Sequence, residues 1–152
     1  MKRFSRRIAP VIVASWLACG AAYAADTDTT PAVSQANPDY VAGKKAVEQK
    51  DWPIAVAAFE RAIKREPSSA DAYNMLGYAY RWQNRMNESF AAYGKALELD
   101  PSHRGAHEYI GVAYLKEKQP DKAKDHLARL EKICGKNCEE YKDLAKAIAD
   151  YK

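Results

Sequence analysis

Five side chains in this 152-residue sequence could do metal or redox chemistry. Cys134 and Cys138 enclose Gly-Lys-Asn, and His103 and His107 stand four apart with His126 further on. A thiol redox pair usually has two residues between its cysteines and lies beside a strand, and neither holds here. A disulfide fits better. If one helix ends at Cys134, Gly135 makes a left-handed turn and a second helix opens at Cys138, the two α-carbons come within bonding reach. So short a closed loop is worth about 2 kcal/mol by chain entropy. The i, i+4 histidines have ligand spacing, but no Glu-x-x-His accompanies them, His126 stands apart in the sequence, and two imidazoles leave a zinc ion short of ligands. We therefore expect no metal and no cofactor. No Gly-x-Ser-x-Gly, phosphate loop or haem-attaching Cys-x-x-Cys-His occurs, so no enzymatic activity is expected. Acidic pairs fall among 29% charged residues, where a solvated helix face is the default.

The compartment decides what the cysteines do. Lys2, Arg3, Arg6 and Arg7 precede an apolar run from Ile8 to Ala22, and Ala22-Tyr23-Ala24 is a small-x-small cleavage signal. Residues 1–24 read as a Sec signal peptide, too short for a comfortable membrane span, with cleavage after Ala24. The expected location is periplasmic or secreted, with no membrane insertion once the leader is gone. Cys19 leaves with it, so Cys134 and Cys138 remain as an even pair in an oxidising compartment. The leader holds four of the 24 Lys and Arg and none of the 20 Asp and Glu, so the mature chain has 20 of each. Its net charge near zero gives no ground for nucleic-acid binding.

Residues 25–36 are polar and read as a flexible linker. Beyond them the elements repeat. Gly43, Gly77 and Gly111 are spaced by 34, as are Ala55, Ser89 and Ala123, Phe59, Tyr93 and Leu127, and Ala62, Ala96 and Leu130. Pro67 and Pro101 keep the register, and Gly135 takes the third position. The segment Tyr73-Asn-Met-Leu76-Gly77-Tyr-Ala-Tyr80, followed by Ser89, Tyr93, Ala96 and Pro101, resembles a tetratricopeptide repeat. That resemblance covers roughly residues 37–151 and implies an all-α helical-hairpin solenoid. Three repeats are expected at about 36–69, 70–103 and 104–137, with a capping helix over 138–151.

The expected first helices are 38–49, 70–83 and 104–117, and the second helices 53–65, 87–98 and 120–133. Asn37 caps the first, with Pro38 at its opening position, where a missing N–H is harmless. Each interior glycine costs about 1 kcal/mol against alanine, so close helix approach must offset it, with Ala55, Ser89 or Ala123 facing it and aromatics filling the gaps. In the tail, Asn137-Cys-Glu-Glu140 reads as a capping box with Asn137 as the cap. Tyr141, Leu144, Ala145 and Ile148 then make the apolar stripe that closes an open-ended stack.

The resemblance implies that first helices line a concave groove that binds a protein or peptide. By register, the groove residues are Tyr40, Lys44, Asn74, Tyr78, Arg81, Trp82, Glu108 and Val112. Some family members grip a C-terminal carboxylate with Lys and Asn at fixed register; here Tyr40, Lys44, Met75, Gly105 and Tyr109 hold those positions, and that clamp is absent. Tyr78 and Trp82 share a helix face off the packing register, so Trp82 is expected to stay partly exposed as an interface anchor. The expected function is a non-catalytic interaction scaffold. A redox or metal carrier using Cys134 and Cys138 is the alternative.

Overall fold

Asparagine, aspartate, serine and histidine each begin a helix here, and their side chains show why the helices start where they do. The computed structural model describes residues 37–152; the expected signal peptide and linker lie outside the described residues. Asn37 Oδ1 accepts from the backbone N–H of Asp39 and Tyr40, while its Nδ2 donates to Ala62 O at 3.2 Å, tying the first helix to the end of the second. Asp51 Oδ1, Ser69 Oγ and His103 Nδ1 each accept from the N–H three residues on. Such caps satisfy donors that a helix N-terminus otherwise leaves unpaired.

The helices are α1 (Pro38–Glu48), α2 (Trp52–Arg65), α3 (Ala70–Trp82), α4 (Met86–Leu99), α5 (Arg104–Lys116), α6 (Pro120–Cys134) and α7 (Glu139–Asp150). They match the expected spans to within a residue or so, and no strand occurs among the described residues. The fold is an all-α stack of three hairpins, α1–α2, α3–α4 and α5–α6, closed by α7 on α5 and α6. First helices also touch each other, α1 with α3 and α3 with α5, while second helices do so far less. That asymmetry curves the stack towards the first-helix side.

The turns inside the hairpins are built alike. Lys50, Asn84 and Lys118, again 34 apart, adopt φ of 57°, 62° and 58°. In each, the next residue's N–H returns to a carbonyl five residues back: Asp51 to Ala46, Arg85 to Tyr80, Gln119 to Tyr114. This is a Schellman closure, in which a left-handed residue lets the chain pair the last helical carbonyls.

The repeated glycines make room for specific side chains. A Cβ on Gly43 would lie 2.5 Å from Phe59 Cε1, and one on Gly77 would lie 2.6 Å from Tyr93 Cδ1. Ser89 does face Gly77, donating its hydroxyl to that residue's carbonyl at 2.8 Å. The third repeat departs from the pattern: Leu144 of α7, not a residue of α6, fills the space over Gly111. The capping helix is thereby keyed into the last hairpin, with Leu144 fully buried.

Two local expectations need correction. Asn137 does not cap α7: the cap position belongs to Cys138, and no side-chain bond forms there. Gly135 has φ 74° but ψ 178°, an extended conformation reserved for glycine and not the left-handed helical one. The connection swings wide between α6 and α7 and sets α7 down one residue later than a capping box would.

Candidate binding groove

Leu76, Gly77 and Tyr80 face the core of the second repeat, so Tyr78, Arg81 and Trp82 are turned out of α3 on its other side. Tyr78 meets Tyr109 of α5 with ring centroids 5.0 Å apart. It also meets Trp82 edge-on at 6.2 Å and Trp52 at 6.1 Å. Trp52 and Trp82 stack at 5.2 Å with planes 4° apart. The Arg81 guanidinium sits 5.1 Å from the Tyr78 centroid, 5.7 Å from Trp82 and 6.0 Å from Tyr109. Cation–π attraction of this kind holds a guanidinium without a carboxylate partner. Arg81 makes no ion pair among the described residues, and its Nε is buried without a hydrogen-bond partner.

The other groove residues divide by exposure. Lys44 is exposed and Val112 half-buried. Tyr40 is buried against Phe59, centroids 5.7 Å apart, so it belongs to the core more than to an open surface. Burial and the Asp71 charge push its phenol up to about 12. Asn74 is only 5% exposed. It sits under α5, with its Nδ2 3.2 Å from where a Cβ on Gly105 would be, and its Oδ1 finds no partner. Neither residue offers the expected free surface, because Phe59 of α2 covers Tyr40 and α5 closes over Asn74.

Glu108 has the most altered chemistry in the groove. Burial raises its carboxyl to about 7; Asp143, Glu140 and Glu139 of α7 push the same way and Arg81 opposes. Among the described residues Glu140 is the one of these acids that forms an ion pair, with Arg104 at 3.5 Å, while Lys146 acts on Asp143. One end of the groove is thus acidic and its middle aromatic.

The repeat register points to Tyr78, Arg81 and Trp82 but not to Trp52. Its signal was present: a large aromatic directly before Pro53 at a helix start, where the other repeats have Met86 and Pro120.

At the far end, Cys134 closes α6 and Cys138 opens α7, with α-carbons 5.9 Å apart and sulfurs at bonding distance. Glu140 brings a carboxylate oxygen within 4.8 Å of both sulfurs. The histidines are less dispersed than expected. His103 uses Nδ1 as a cap and places Nε2 3.0 Å from Asp71 Oδ1. His126, expected to be isolated, puts its Nδ1 2.9 Å from Nδ1 of His107, whose Nε2 lies 3.0 Å from Pro101 O. The carbonyl can only accept, so His107 donates through Nε2 and accepts through Nδ1, and His126 is the donor. Both rings are neutral in this arrangement. Burial lowers both, His126 to about 4.

The chain matches the tetratricopeptide repeat family over residues 40–102 and again over 87–137, more than half its length, and it belongs to that family. No curated protein matches it. Among solved structures, the TPR2B domain of yeast Sti1 in its pHsp70 complex is similar at 23% identity and TM-score 0.66, covering 78% of this chain and 98% of that one. The Arabidopsis OM64 TPR domain is similar at 20% identity and TM-score 0.67, covering 76% and 93%. The first TPR of Spaghetti (RPAP3), bound to the HSP90 peptide SRMEEVD, is similar at 18% identity and TM-score 0.61, covering 70% and 87%. At these identities the likeness is one of fold.

Proposed function

We propose that this protein is an exported, non-catalytic scaffold that binds a protein or peptide segment along the first-helix side of its stack, with Tyr78, Arg81, Trp82 and Tyr109 as the anchor. The observation that carries the reading is Trp82. It is 52% exposed although it ends a well-packed helix, and an uncovered tryptophan beside an arginine is the composition of an interface hot spot. Two of the similar structures are peptide or protein complexes of the same fold, which adds weight. Export rests on the leader and cleavage signal in residues 1–24. In that compartment we infer that Cys134 and Cys138 are bonded and hold α7 at its angle. A carrier role for these cysteines needs free thiols and is the weaker reading.

A photocrosslinking residue placed at Val112 in cells making the leader-bearing chain should yield a defined adduct. The same residue at Lys95 on α4 should not, and Trp82→Ala should abolish the adduct. Equal labelling from both positions, or an adduct indifferent to Trp82, defeats the groove.

A further inference from the structure

The groove is not electrostatically neutral along its length. Glu108 stands on α5 where Asn74 stands on α3 and Tyr40 on α1, 34 residues apart in each case. From α7 the acids Glu139, Glu140 and Asp143 act on it and from α3 the cation Arg81; on its own helix Arg104 is engaged with Glu140, and Lys146 of α7 acts on Asp143 while paired with Asp150. Glu108, Glu139 and Asp143 form no ion pair among the described residues. Glu108 and Glu139 thus stand at one end of an aromatic groove without an ion pair among the described residues, and Asp143 beside them is within the field of Lys146, which is itself paired with Asp150. Independently, Asn74 at the equivalent position one repeat earlier is almost wholly buried and leaves its Oδ1 without a donor. Among the described residues Glu108 lacks a paired counter-charge, and the buried Asn74 amide oxygen lacks a hydrogen-bond donor of any kind. A carboxylate so placed attracts a cation more strongly than one in open water, because burial weakens solvent screening.

We propose that the groove selects an extended peptide segment that sets an apolar or aromatic side chain against Tyr78, Trp82 and Tyr109 and a lysine or arginine against Glu108 and Asp143. This rests on the groove reading above and gives it a partner chemistry. The segment is opposite in charge to SRMEEVD, the peptide held by one of the similar domains. Charge of this kind acts mainly as a filter, since a like-charged segment meets repulsion in a partly desolvated site.

The occupant also carries a proton consequence. A cation beside Glu108 favours its ionised form, so binding near neutral pH releases a proton from a carboxyl that titrates at about 7 in the free protein. Affinity should then rise with pH through that range.

The test is selection of short random peptides displayed on phage against the exported protein, followed by synthesis of the winners and calorimetric titration. Winners should be enriched in Lys or Arg. Replacing that residue by norleucine should weaken binding about tenfold. Binding should be several-fold tighter at about pH 8 than at about pH 6, and Glu108→Gln should remove both effects. Glu108→Gln takes a charge out of a repelling cluster, and circular dichroism confirms that it folds; Asp143→Asn gives a second, more exposed variant. SRMEEVD should not bind. Winners that are neutral or acidic, or whose basic residue is indifferent to Glu108→Gln, overturn the charge assignment. If they still lose binding in Trp82→Ala, the groove reading survives. Winners unaffected by Trp82→Ala and Tyr78→Ala, or no winners at all, overturn the groove itself.

Discussion

Trp52 and Trp82 lie face to face, ring planes 4° apart and centroids 5.2 Å apart, although the first begins α2 and the second ends α3. The pair joins two repeats across the turn side of the stack while leaving Trp82 half open to solvent. Stacked rings contribute about 0.5–1.5 kcal/mol beyond the area they bury. Trp82→Ala should therefore lose this stacking contribution together with that of the buried half of the ring, about 2–3 kcal/mol of folding stability without unfolding the domain, and weaken binding to a groove ligand by about 2 kcal/mol. Denaturant unfolding and calorimetric titration of the same variant separate the two. A variant that unfolds, or that binds as before, removes Trp82 as the anchor.

The glycines of α3 and α4 make a matched pair. A methyl group on Gly77 meets the fully buried Tyr93 ring at 2.6 Å, and that ring has nowhere to move. One on Gly94 meets nothing within 4 Å. Gly77→Ala should destabilise by about 2 kcal/mol or more through overpacking. Gly94→Ala should stabilise by about 1 kcal/mol through helix propensity alone. Thermal unfolding of both in one background reads the difference, and equal shifts of the same sign count against the close approach at Gly77.

Much of this arrangement was legible in the sequence because a stacked repeat forces the same contact every 34 residues. Gly43, Gly77 and Gly111 gave the hairpins, and the prolines gave the helix ends. Lys50, Asn84 and Lys118 show the limit of that legibility. All three take a left-handed conformation that composition associates with glycine, and only Asn84 hints at it. The turn imposes the conformation and lysine tolerates it. The site was harder to read. Register put Tyr40 and Asn74 among the groove residues but could not say that neighbouring helices would bury them. The His107–His126 contact joins residues from two helices that no spacing rule connects. Leu144 over Gly111 breaks the repeat itself, because a terminal helix has no following hairpin and makes a contact that its predecessors cannot.

The cysteine pair bears on α7. Bonding Cys134 to Cys138 closes a loop of only a few residues, so its loss should cost about 2 kcal/mol or less by loop entropy. Cys134→Ser should lower the unfolding midpoint modestly and leave the helices in place. Protection of α7 amides from hydrogen exchange should fall more than that of α3, because the bond ties α7 to α6, yet α7 should not detach, since Leu144 and its contacts with α5 and α6 also hold it. Two reactive thiols in unreduced protein recovered from the exported fraction overturn the bond.

Two groups make the stability respond to pH in opposite directions. His126 is lowered to about 4 by burial, with the neighbouring His107 and the Arg129 charge opposing its protonation. An unfolded histidine titrates at about 6.5. Between those values the unfolded chain binds the extra proton, so this contribution is complete above about 6.5 and is lost as pH falls towards 4. Glu108 is raised to about 7, against about 4.3 in an unfolded chain. There the folded state holds the extra proton, so its penalty is absent at low pH and grows as pH rises through 4.3 to 7. Both groups are partly open to solvent, and after allowance for screening each is worth about 1–2 kcal/mol. The two slopes overlap and oppose, so the native protein should show a shallow profile between about pH 4.5 and 6.5. Glu108→Gln should uncover the histidine slope, with stability falling as the solution is acidified. His126→Asn should uncover the carboxyl slope, with stability falling as it is made alkaline. Urea unfolding of the three proteins at closely spaced pH values reads this directly. Parallel profiles for all three would show that neither group titrates differently on folding.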